Sequence, residues 1–188
     1  ISLNEADDAK REAARTSMGE PYRAILGHFR HEVGHFYWDR LVRDGGQLES
    51  FRALFGDESA DYSQALQRHY QQGAPADWRL NYVSAYATMH PWEDWAETWA
   101  HYLHIVDTLE MAASFGIETH PAVATEALAT QITFDPYETE DVNALINAWL
   151  PLSYASNSLN RCMGLPDLYP FVIPPSAVEK LRYIHNLI

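Results

Sequence analysis

The chain has 188 residues, 47% of them hydrophobic and 13% aromatic, which suits one well-packed domain and is short for two. Thirteen Lys and Arg against 26 Asp and Glu leave a net charge of −13, a field that repels phosphate backbones and excludes nucleic acid as an expected partner. Cys162 is the sole cysteine, so neither an internal disulfide nor a thiolate metal cluster can form, and no apolar run approaches the ~20 residues of a membrane span.

The opening Ile1-Ser2-Leu3-Asn4 has no initiator Met and reads as the start of a piece cut from a longer or processed protein. Without a secretory signal segment, the expected compartment is the cytoplasm. Residues 5 to 18 are charged and helix-permissive, a surface segment. Pro21 suits the first position of a long helix in which Ile25, Leu26, Phe29, Val33, Phe36, Tyr37 and Leu41 recur at spacings of three and four. Asp44-Gly45-Gly46 ends it. Two shorter helices are expected near 47–55 and 59–72, divided by Gly56-Asp57 and closed by Gly73-Ala74-Pro75. The aromatic stretch 77–89 is compatible with helix and stops before His90-Pro91.

Pro91 then opens a strong helix, Trp92 to about Ala113, with a wide apolar face of Trp95, Trp99, Tyr102, Leu103, Val106 and Leu109. Residues 114 to 138 read as irregular, with one small strand over Gln131–Phe134. A third long helix is expected over 140–162, bent at Pro151 and closed by Gly164. Ser176-Ala177-Val178-Glu179 has capping-box form and begins a final helix. The expected fold is mainly α, with very little strand, in a single domain spanning 1–188.

Chemistry concentrates in His31-Glu32-Val33-Gly34-His35, the pattern H-E-x-x-H. Residues four apart stack on one helix face, so the two imidazoles can converge on one divalent ion while Glu32 reaches a water beside it. Gly34 costs about 1 kcal/mol in a helix interior, which points either to a close neighbouring backbone or to ordinary helix packing. Two histidines do not complete a catalytic zinc site, which usually has three protein ligands and an open position. The third is expected from His90-Pro-Trp-Glu93-Asp-Trp-Ala-Glu97-Thr-Trp-Ala-His101, where Glu93, Glu97 and His101 fall on one helix face. Acids on a buried face are costly unless paired or metal-bound, so Glu93 or Glu97 is the expected ligand, with His101 as the alternative. His28 reads as cleft lining or surface, His101 and His104 as packing groups or as supports of a ligand, and Arg161 as either a substrate or acid partner or a surface arginine.

These residues resemble the gluzincins, which pair H-E-x-x-H with a glutamate on a later helix. The local similarity is to the catalytic domain of anthrax lethal factor. His31 to His35 match its first helix, Glu93-Asp94-Trp95-Ala96-Glu97-Thr98-Trp99 match its second, and Tyr86 lies seven residues before Glu93. Over most of its length, including His35-Phe36-Tyr37-Trp38-Asp39 and Ser158-Leu159-Asn160-Arg161, the chain also resembles a bacterial family of zinc-binding metallopeptidases. The resemblance implies a zincin-like fold in which the two ligand helices cross, Zn²⁺ held by His31, His35 and Glu93, and Glu97 orienting a ligand histidine. It implies Tyr86 as the phenol that stabilises an oxyanion. The expected activity is hydrolysis of a peptide or protein substrate, with Glu32 as general base. The rival expectation is a metal-containing binding or regulatory protein without turnover. A carboxylate-bridged di-iron protein fits worse, because Glu32-Val33-Gly34-His35 is the only Glu-x-x-His pair on offer and such a site needs two.

Overall fold

A computed structural model describes residues 6–18, 24–122 and 126–188. Pro21 and Ile1 to Asn4 lie outside them. Among the described residues the protein is mainly α, with seven α-helices and one isolated antiparallel bridge, Thr119 to Thr130. The helices are α1 (Asp8–Met18), α2 (Ile25–Tyr37), α3 (Leu48–Phe55), α4 (Tyr62–Gln72), α5 (Pro91–Ser114), α6 (Val142–Cys162) and α7 (Pro175–His185). Among the described residues no helix is long and apolar enough to cross a membrane. The backbone groups into two compact units, one of residues 1–102 with 171–188 and one of 103–170.

In the first unit, α2 runs directly into a π-helical turn, Trp38–Arg43. Its wide register is closed by the Asp44 N–H bonding Asp39 O at 2.9 Å and the Gln47 N–H bonding Val42 O at 2.8 Å, each five residues back. The turn sends Trp38 and Val42 into the core, where Trp38 meets Phe51 and Phe51 stacks on Phe55 at 4.8 Å. Trp95 packs its edge against both phenylalanines, and Tyr183 of α7 reaches Phe55.

The side of α2 that packs inward is not its apolar stripe. His31 and Gly34 are buried, whereas Ile25, Leu26, Phe29, Phe36 and Tyr37 lie between 40% (Tyr37) and 57% (Phe29) exposed. Gly34 explains why. A Cβ there would sit 3.1 Å from three atoms of Trp99, and the Gly34 carbonyl accepts the Trp95 indole N–H at 2.8 Å. The close neighbour of Gly34 is therefore a pair of tryptophan side chains on α5, rather than another backbone.

Three local expectations change. Residues 77–89 form two short 3₁₀ turns, Trp78–Leu80 and Tyr86–Thr88, because Tyr82 and Val83 between them pack on Ala177 of α7 instead of continuing a helix. Helix α7 starts at Pro175, with Pro174 at the cap, so Ser176 lies inside it and its hydroxyl donates to Leu80 O. Gln131–Phe134 is not a strand; the one bridge uses Thr130, beside it.

The second unit contains the end of α5 and all of α6. Asp141 caps α6 by accepting the Asn143 N–H, Pro151 sits within the helix, and Gly164 follows its end with φ of 73°, a conformation that favours glycine. Leu145, Trp149 and Leu152 of α6 are buried, as are Ile105, Val106 and Leu109 of α5. Trp149 packs its edge on Tyr169 at 4.9 Å. Arg161 pairs with Asp167 through two 2.6 Å bonds at the surface of this unit.

Candidate metal centre

His31 and His35 stand one turn apart on α2 and Glu93 lies in the first turn of α5. Their ligand-capable atoms all fall within 4.8 Å of one another. His31 Nε2 lies 3.1 Å from His35 Nε2 and 2.9 Å from Glu93 Oε2, and His35 Nε2 lies 3.5 Å from Glu93 Oε1. No arrangement of protons satisfies these contacts together. Glu93 Oε2 is buried without a hydrogen-bond partner although the His31 nitrogen is 2.9 Å away, because the geometry is wrong for a hydrogen bond. Tetrahedral zinc with donors at 2.0–2.2 Å places those donors roughly 3.3 Å apart. The His31–His35 and His31–Glu93 Oε2 separations of 3.1 and 2.9 Å are close to that value and all three donor atoms fall within 4.8 Å, so the cluster could hold one such ion.

Neighbouring groups set the chemistry of these donors. His31 Nδ1 lies 2.7 Å from Glu97 Oε1, and Glu97 Oε2 accepts from the Ser84 hydroxyl at 2.6 Å. A proton on Nδ1 shared with Glu97 leaves Nε2 as the lone-pair donor facing Glu93 and His35. The His35 ring lies 4.0 Å from Trp92, which fixes it by packing; its Nδ1 is buried without a hydrogen-bond partner. Glu93 is also held by Tyr62, whose hydroxyl donates to Oε1 at 2.9 Å.

The charges follow from this crowding. Burial acts to lower the basicity of His31, but the carboxylates of Glu93 and Glu97 beside it outweigh that effect and hold the ring at a pKa of about 10. Burial acts to raise Glu93, yet the two imidazoles beside it hold it well below the usual carboxylate range. Glu97 is lowered as well: burial opposes ionisation, and His31 overcomes it. Two ionised carboxylates around two imidazoles are a charge set that a divalent cation balances, provided His31 gives up its proton.

The other sequence-predicted residues fall around this cluster. Glu32 is on the same helix, outside the cluster, with its carboxylate 3.1 Å from His28 Nε2. Tyr86 begins the 3₁₀ turn before α5, and its ring is 6.0 Å from that of His31. Burial, followed by the charge of Glu93, pushes the Tyr86 phenol far up. His101 is buried, its ring against Phe171 at 4.5 Å, and it is not part of the ligand-capable group. Burial lowers His101 to about 4, which keeps it neutral.

Two contributors were not singled out from the sequence as site residues: Tyr62 and Ser84. Asp61 accepting the Gln64 N–H marks the start of α4, so Tyr62 could have been placed at a helix start, but no local signal points it at Glu93.

A helical protein in which H-E-x-x-H and a glutamate from a later helix form one cation-capable cluster is the class that fold and site define. The chain belongs to the family described as "Putative zinc-binding metallo-peptidase", whose pattern matches residues 1–187. It is also 51% identical over 191 residues to uncharacterized proteins from Mycobacterium bovis and Mycobacterium tuberculosis. Those alignments cover 100% of this chain and 53% of each relative, so the chain spans about half their length. No solved structure matches it.

Proposed function

We propose that the chain is a single zincin-like domain and a zinc-dependent peptidase, with His31, His35 and Glu93 as ligands and Glu32 as general base. The observation that carries this reading is the convergence of the His31, His35 and Glu93 donor atoms, with an orphaned Glu93 oxygen among them. A bound Zn²⁺ would supply Lewis acidity, lowering the pKa of a water towards ~7 and polarising a scissile carbonyl. Glu97, backed by Ser84, holds the His31 ring with Nε2 turned towards Glu93 and His35, where it would serve as a ligand. Glu32 takes the proton of the attacking water and returns it to the departing amine. Tyr86, kept neutral by burial, donates to the oxyanion; such a donor is worth about 3 kcal/mol when aimed at the developing charge.

The test is elemental analysis and a peptide-library cleavage assay on the intact chain and on Glu32→Gln. One bound zinc in both proteins, with cleavage only by the native chain, is the expected result. Zinc without cleavage by either protein would instead establish the rival, a metal-containing binding or regulatory protein. No stoichiometric zinc in the native chain would remove the reading altogether.

A further inference from the structure

We propose that Tyr62 is a positioning residue of the metal centre, holding one oxygen of Glu93 so that only the other, Oε2, is offered to the ion. This rests on the reading of His31, His35 and Glu93 as ligands. The two oxygens of Glu93 have different surroundings. Oε1 accepts the Tyr62 hydroxyl at 2.9 Å, while Oε2 is buried, has no hydrogen-bond partner, and sits 2.9 Å from His31 Nε2. A phenol proton on Oε1 withdraws lone-pair density from that oxygen and makes it the poorer ligand. Glu93 then contributes one donor atom, the protein contributes three in all, and a position stays open for water and substrate.

Tyr62 is itself held from the base of α5. His90 Nε2 lies 3.0 Å from Ala60 O, and His90 Nδ1 accepts the Trp92 N–H at 3.2 Å. Together these bonds specify a neutral ring with its proton on Nε2. The ring edge of His90 meets that of Tyr62 at 5.4 Å, and Trp92 flanks the tyrosine at 6.3 Å. Glu93 follows His90 by three residues and donates its N–H to the His90 carbonyl at 2.9 Å. One short segment therefore carries the acceptor, Glu93, and clamps the turn that carries the donor. A phenol keeps its proton at neutral pH, so Tyr62 is a donor to the carboxylate there.

The experiment uses Zn²⁺ and Co²⁺ alone as probes of the native chain, Tyr62→Phe and, as a control on the same helix, the exposed Tyr70→Phe. Zinc affinity is read by chelator competition and coordination by the visible absorption of the cobalt form. Tyr62→Phe should keep the melting temperature of the metal-free protein, bind zinc roughly tenfold more weakly, and show weaker cobalt absorption as the freed carboxylate becomes bidentate. Tyr70→Phe should match the native chain in both. Native affinity and an unchanged cobalt spectrum in Tyr62→Phe overturn the proposal while leaving the ligand reading standing. A native chain that binds neither ion removes the ligand reading itself. X-ray absorption on the native zinc form needs no variant: one short carboxylate oxygen supports the role of Tyr62, and a bidentate pair overturns it.

Discussion

Glu93 and Asp94 are neighbours in sequence, both almost fully buried in the first turn of α5, and their acidities are driven in opposite directions. Burial opposes ionisation of both. For Glu93 the two imidazoles overcome it; for Asp94, burial prevails and raises the pKa to about 6 even with Lys180 Nζ at 2.6 Å. Lys180 is divided among several partners, bonding Asn81 O at 3.2 Å and lying over the Tyr82 ring at 4.3 Å, while Asp94 Oδ1 has no hydrogen-bond partner. The number and placement of partners, more than depth of burial, decide which acid stays charged. The Asp94–Lys180 pair is a closed contact that ties α7 to α5. The Glu93 cluster presents more donors than its protons can satisfy, which is what a cation site requires.

The comparison can be broken by exchanging the two roles. Glu93→Ala should lose zinc affinity by about a hundredfold or more, given that a full structural zinc shell is worth ~10–16 kcal/mol over four ligands. Asp94→Asn should change that affinity by less than about threefold, beneath the effect typical of a group directly supporting a ligand. Comparable losses in both, measured by chelator competition, would erase the distinction. Lys180→Met should leave a buried carboxylate unpaired and cost about 3–5 kcal/mol, read as a melting temperature lower by about 10 °C, with zinc stoichiometry intact.

The pH response of Asp94 follows from its sign. Its folded pKa of about 6 lies above the ordinary 3.8, so the folded state holds the proton between those values and the unfolded state does not. Its stabilising contribution is complete below about 4 and is lost as pH rises through 6. The gap of about two units corresponds to about 3 kcal/mol. Asp94→Asn should therefore gain stability relative to the native chain as pH rises from 4 to 7, whatever its constant offset, in denaturant titrations. A flat difference would show that Asp94 titrates normally. The smallest effect expected is from Gly34→Ala, about 1–3 kcal/mol of overpacking against Trp99. Because Gly34 adjoins His35, zinc affinity should fall with it.

Much of this architecture is legible in the sequence because its signals are local. Periodicity and Pro/Gly punctuation locate α3, α5 and α6 to within a few residues, and H-E-x-x-H with Glu93 identifies the residues that the fold brings together. The expectations that changed depend on contacts distant in sequence. Tyr82 and Val83 leave helical geometry to pack against α7, and Ser176 spends its hydroxyl on Leu80 rather than on a cap.

The sequence by itself determined the mainly helical fold and the spacing that puts His31 and His35 on one face, since helical repeat and side-chain chemistry are properties of neighbouring residues. Only the tertiary structure decided which side of α2 turns inward. There the space available at Gly34 for Trp95 and Trp99 outweighs an apolar stripe that the sequence presents on the other side. The same packing brings Tyr62, 31 residues before Glu93, to its carboxylate and Ser84 to Glu97. A hydrogen bond across such a separation depends on how helices meet, and no local pattern encodes it.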